Sequence, residues 1–193
     1  MRKFYLLFLF LGLFQNFIFG QLNFDISKVK GKRHLKSFQE ISKDSTYEPI
    51  DITLSKHKFE IRLNVFYAPN GGFSKFILYS DGKEWSAIHW ESDFLEIYDT
   101  TKNHYKKINH KNWDTVVNVL NSLDIFTLPN QQRLKKEVSV SDGTLCSIVY
   151  KVKNKFRKYN FDNPDIYFER YPETIEFKKF NEIVSTFYSA FKN

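Results

Sequence analysis

The sequence predicts an α+β fold, a two-layer sandwich in which an antiparallel sheet is covered by two amphipathic helices. Three observations predict it. Short runs that alternate apolar and polar residues recur between 59 and 108 and again between 145 and 161, separated by turn residues. Two stretches, 113–123 and 180–191, instead repeat their apolar residues at helical spacing. The strand connections are short, which suits antiparallel hairpins and a sheet with one face left for helices.

Residues 1–20 read as a cleavable signal peptide. Met1-Arg2-Lys3 supplies positive charge, residues 4–14 are apolar apart from Tyr5 and Gly12, and Gly20 is a small residue at the end. Gln15-Asn16 interrupts the apolar run, which is shorter than the roughly 20 residues a membrane-spanning helix needs. Cleavage is expected before Gln21, giving an exported chain, periplasmic or extracellular. The only cysteine is Cys146, so no lipid-anchored cysteine follows the cut, and no later segment is long and apolar enough to span a bilayer. A mature chain of 173 residues, 21–193 of the 193, fits one domain with its own core.

Residues 21–48 carry Lys28, Lys30, Lys32, Arg33, Lys36 and Lys43 with apolar residues of no sustained period. They read as a flexible basic lead-in, with a single α+β domain over 49–193. In that domain Phe59-Glu60-Ile61-Arg62-Leu63-Asn64-Val65 predicts the first strand. Asn70-Gly71-Gly72 ends it, 73–79 is the second, Asp81-Gly82 marks a hairpin turn, and 84–90 is the third. Residues 94–98 and 104–108 complete the meander. Trp113, Val116, Val117, Leu120 and Leu123 form the stripe of the first helix, with Asn109 or Asn112 to cap it and Pro129 beyond its end. A turn at Asp142-Gly143 leads into a hairpin, 145–153 and 155–161, around Asn154. The last helix is expected to start near Pro172, with Glu173 and Glu176 in its first turn and Phe180, Ile183, Val184, Phe187, Tyr188 and Phe191 on one face.

The leader, the Asp142-Gly143 turn, Asn163-Pro164 and the closing helix resemble those of small exported proteins of unknown function from Bacteroidota. The resemblance implies a periplasmic or secreted location and carries no activity. A helical ending differs from the β-rich carboxy-terminal sorting domain of that phylum's dedicated secretion cargo.

Charge narrows the partners. Removing Arg2 and Lys3 from the 29 basic residues leaves 27 against 22 acidic, a net +5 spread evenly along the chain. A nucleic-acid binder concentrates its charge, so nucleic acid is not expected as a partner. The main basic feature is the hairpin bearing Lys151, Lys153, Lys155 and Arg157, interleaved with Tyr150, Phe156, Tyr159 and Phe161. It offers a surface for an anionic envelope component, although lysines also guard sheet edges against aggregation.

Other chemistry is sparse. Cys146 has neither a neighbouring histidine nor a helix start to lower its pKa, and reads as a small buried hydrophobe. His89 and Glu91 share a strand face and would supply two metal ligands; His104 and His110 would join only through the fold. The aspartates at 81, 93, 99, 142, 162 and 165 sit mostly at turns. No catalytic, metal or cofactor-binding residue is assigned, and no cofactor is expected. The chain reads as a non-enzymatic binding or interaction module of the cell envelope, with an unknown protein or anionic envelope component as partner. The alternative is a periplasmic or secreted hydrolase whose site the fold assembles.

Overall fold

The computed structural model describes residues 29–30, 52, 55–68, 71–92, 104–109, 112–140 and 142–192. The leader, most of the lead-in, the expected strand at 94–98, His34 and His110 lie outside the described residues.

Four strands, β1 (Phe59–Tyr67), β2 (Gly72–Ser80), β3 (Trp85–Ser92) and β4 (His104–Ile108), run as an antiparallel meander. Helix α1 (Trp113–Ser122) and a 3₁₀ turn (Gln131–Leu134) follow. The chain then returns to the sheet as a hairpin, β5 (Thr144–Val152) and β6 (Lys155–Asp162), and closes with α2 (Pro164–Arg170) and α3 (Ile175–Phe191). Because β5 pairs with β1, the strand order is β4-β3-β2-β1-β5-β6, antiparallel throughout, with β1 in the interior. This is the expected α+β fold of helices on an antiparallel sheet.

The local differences have local causes. Asn163-Pro164 opens a third helix, α2: proline suits the first helical position because its missing N–H has no partner there anyway. Residues 171–174 then turn, with Thr174 N–H donating to the Tyr171 carbonyl at 3.0 Å, so α3 starts at Ile175 rather than near Pro172. Asn112, not Asn109, caps α1, its side chain accepting from the Thr115 N–H at 3.3 Å. The β2–β3 connection spans residues 81–84, and of its residues only Gly82 has positive φ (100°), so it is wider than a two-residue Asp-Gly turn.

Alternation gives the sheet two faces. The inner face carries Phe59, Ile61, Leu63 and Val65 from β1, Phe76 and Leu78 from β2, and Cys146, Ile148 and Tyr150 from β5. Helix α3 lays Phe177, Phe180, Ile183, Phe187 and Phe191 on it. Phe161 of β6 stacks on Phe180 with ring centres 4.0 Å apart, and Phe76 meets Phe191 edge-on at 5.2 Å. Trp113 brings α1 to the same cluster, 5.1 Å from Phe191.

The turn at 142–143 and the start of α2 at Asn163-Pro164 meet in space. The Asn163 side-chain oxygen accepts from the Thr144 N–H at 2.7 Å, and the Asn163 N–H donates to the Thr144 carbonyl at 2.7 Å. A Cβ on Gly143 would lie 1.8 Å from that side-chain oxygen, so the junction that starts α2 requires glycine there.

Candidate functional site

The basic hairpin is divided by its own register. Val152 pairs with Lys155 across the turn at 153–154, so Lys155 and Arg157 lie on the inner face and Lys151 on the outer one. Lys153 sits in the turn, exposed, with φ of 54°. On the inner face Lys155 Nζ donates to the Val29 carbonyl at 2.9 Å, and Arg157 donates to the carbonyls of Phe126 and Leu128. Tyr150 and Tyr159 do the same, their hydroxyls donating to Phe126 and Ile125 carbonyls, each at 2.7 Å, and Tyr150 also reaches the Lys30 carbonyl. An irregular segment against a sheet has carbonyls that no ladder satisfies, and these four side chains supply the donors. Burial pushes the Tyr150 hydroxyl up to about 12, against the pull of Arg157, and Tyr159 well above its ordinary value. On the outer face Lys151 donates to the Ser55 carbonyl and lies 5.8 Å from the Phe156 ring centre. Three of the four cations therefore tie chain segments to the sheet.

His89 and Glu91 share the inner face of β3, as alternation predicts. The Glu91 carboxylate accepts from Ser74 Oγ at 3.4 Å, while His89 stacks on Phe76 at 4.5 Å with its Nε2 buried and unpartnered. Burial lowers the His89 pKa and Lys106 adds to the shift, with Glu91 opposing both. A hydroxyl nucleophile needs its base within hydrogen-bond reach, and Ser74 is bonded to Glu91 rather than to His89. The β3–β4 register sets His104 opposite Glu91, though the His104 side chain lies outside the described residues. Among the described residues no group of three or more His, Cys, Asp or Glu is placed to hold a metal ion. Beside this cluster Tyr67 and Tyr188 share a hydroxyl–hydroxyl hydrogen bond, and burial together with that bond raises the Tyr188 pKa. Cys146 is buried, its thiol pushed up to about 12 by burial first and then by Asp165 and Asp162.

The outer face holds the arrangement that alternation did not reveal. Five of its polar residues, Glu60, Arg62, Asn64, Lys75 and Ser147, are buried. Glu60 and Arg62, two apart on β1, form an ion pair at 2.6 Å with side chains only 3% and 5% exposed, and Ser55 Oγ donates to the second Glu60 oxygen. One row along, the strands present Trp90, Lys75, Asn64, Ser147 and Asn160 side by side. Asn64 Nδ2 donates to Ser147 Oγ at 3.1 Å, and Lys75 Nζ lies 5.6 and 5.8 Å from the ring centres of Phe73 and Trp90. The Oδ1 atoms of Asn64 and Asn160 are buried and accept no hydrogen bond. The next row is apolar: Phe73, Phe66 and Leu145 are cross-strand neighbours, followed by Asp162. Phe66 is 38% exposed and Leu145 43%.

No family model matches the chain, and neither a curated protein nor a solved structure does. The chemistry of the outer face rests on its own residues. Opposite charges at positions 60 and 62, on one face of a strand, were the legible signal for the pair. The polar row had none, because Lys75, Asn64, Ser147 and Asn160 come from four different strands.

Proposed function

We propose that this chain is a non-enzymatic binding module of the cell envelope, exported by its leader, and that its contact surface is the outer face of the sheet at the Phe66–Leu145 end. The exposed cross-strand pair Phe66 and Leu145, continuous with Phe73, carries the reading. Single exposed apolar side chains are ordinary, whereas contiguous ones mark contact sites as the patch they form grows. The reading rests on this row rather than on Lys151, Lys155 and Arg157, whose donors are engaged within the chain. Among the described residues no helix is long and apolar enough to cross a membrane, which suits a module that meets the envelope through a surface.

Sedimentation with isolated outer membrane and cell-wall sacculi tests this. The protein is expected to cosediment with one fraction, and the F66S/L145S variant to lose roughly tenfold in apparent affinity while keeping its melting temperature. Cosedimentation with neither fraction, or an unchanged affinity in the variant, overturns the proposal.

A further inference from the structure

We infer that Tyr67, Tyr188 and Glu91, gathered where the end of β1 meets α3, bind a ferric ion. The site lies on the inner face, opposite the contact surface proposed above, and does not depend on that reading. Alternation sets Tyr67 of β1, Ser74 of β2 and Glu91 of β3 on the inner face of three neighbouring strands. From α3, Tyr188 brings its hydroxyl into a hydrogen bond with that of Tyr67. Phe76 seats the Tyr188 ring edge-on at 4.9 Å, and Ser74 Oγ holds the Glu91 carboxylate at 3.4 Å. Tyr67 and Tyr188 are half-buried and Glu91 is exposed, so solvent reaches the cluster from the Glu91 side.

Two observations point to a cation. The charges that act on the Tyr188 hydroxyl are all acidic, from Tyr67, Cys146 and Glu91, and together with burial they raise its pKa. Two phenol oxygens in hydrogen-bond contact also have close to the spacing of adjacent ligands on one ion, since bonds of about 2 Å at right angles put them about 2.8 Å apart. The donors then select the ion. Oxygen ligands favour a hard cation over zinc or copper. A phenol binds a metal as phenolate, and the Tyr188 proton is held more firmly than usual, so a weakly polarising ion such as calcium does not displace it. Ferric iron, small and trivalent, does. Two phenolates and the Glu91 carboxylate cancel its three charges, which suits a half-buried place. On binding, two O–H bonds break, two iron–oxygen bonds form, both protons pass to solvent and the iron stays ferric. Cys146, its thiol pushed up to about 12, keeps its proton and stays outside the set.

The test is a titration of the purified protein with ferric nitrilotriacetate, followed by visible absorbance. The expected result is a saturable phenolate-to-iron charge-transfer band that Y67F and Y188F abolish. Both variants keep the aromatic ring and are expected to melt within a few degrees of the metal-free parent. Should either fail to fold, E91Q changes only an exposed side chain and is expected to weaken iron binding roughly tenfold or more. Y79F, which removes a phenol on the outer face, is expected to keep the band. No band in the parent overturns the ion. A band that survives in folded Y67F and Y188F, an unchanged affinity in E91Q, or a band that Y79F also loses overturns the site.

Discussion

The two faces of this sheet are built from the same strands and share the same alternation, yet they are held by different physics. On the inner face, phenylalanines from α3 interlock with rings from β2 and β6, and the hydrogen bonds of Tyr150, Lys155, Arg157 and Tyr159 serve the segments laid over its β5–β6 side. On the outer face, the buried groups include Glu60, Arg62, Asn64, Lys75 and Ser147, so burial there depends on pairing. Apolar packing degrades gradually when a contact is lost. A buried charge has no such tolerance, because removing its partner leaves it in a medium that cannot solvate it. The inner face therefore supplies stability, and the outer face is where sequence changes act through electrostatics and ligand contact.

The largest effect that separates the faces is expected at Phe180. It is fully buried against Phe161 and Tyr159, and truncation leaves a cavity between α3 and β6. F180A should lose about 3–5 kcal/mol in urea unfolding. A smaller loss, below about 1 kcal/mol, would mean that α3 is loosely seated and that the division between the faces is wrong.

The outer face should respond differently to one change and to two. E60L removes the 2.6 Å partner of the Arg62 guanidinium and the acceptor of Ser55, and should cost about 3 kcal/mol. Adding R62M to it should restore part of that stability, although a second side chain has been removed. If E60L/R62M is less stable than E60L, Arg62 contributes through its packing rather than through the pair, and the outer face behaves like the inner one.

Legibility divides along the same line. Alternation and helical spacing placed β1, β2, β3, β5, β6, α1 and α3 within a few residues of their observed bounds, because each signal is local. Asn163-Pro164 opens α2, a seven-residue helix too short to show a stripe. Polar residues on alternating strands were expected in solvent; Glu60 is buried beside the segment before β1, where Ile52 packs with Val149 and Phe156 and Ser55 bonds Glu60 and Lys151, contacts that no local pattern encodes. The hairpin cations failed to form one surface for a related reason. Their division between faces follows from the Val152–Lys155 register, and their partners at residues 29, 55, 126 and 128 are distant in sequence.

The smallest effect expected is a pH slope from His89, and it tests whether the inner face tolerates charge on β3. Burial and Lys106 hold its folded-state pKa below the ordinary 6.5, with only Glu91 acting the other way. Below pH 6.5 the unfolded chain takes up this proton while the folded chain resists it. Stability should therefore fall as pH drops through that range and level off once the folded pKa is passed. Other histidines add slopes of their own, so the informative quantity is the difference between the parent and H89L across pH 5–7.5. H89L should show the shallower slope, and at pH 7.5 it should be at least as stable, since the buried Nε2 it removes has no hydrogen-bond partner to lose. A steeper slope in H89L would mean that Glu91 outweighs burial and that His89 is charged in the folded protein near neutral pH. The inner side of β3 would then belong electrostatically with the outer face rather than with the apolar core beside it.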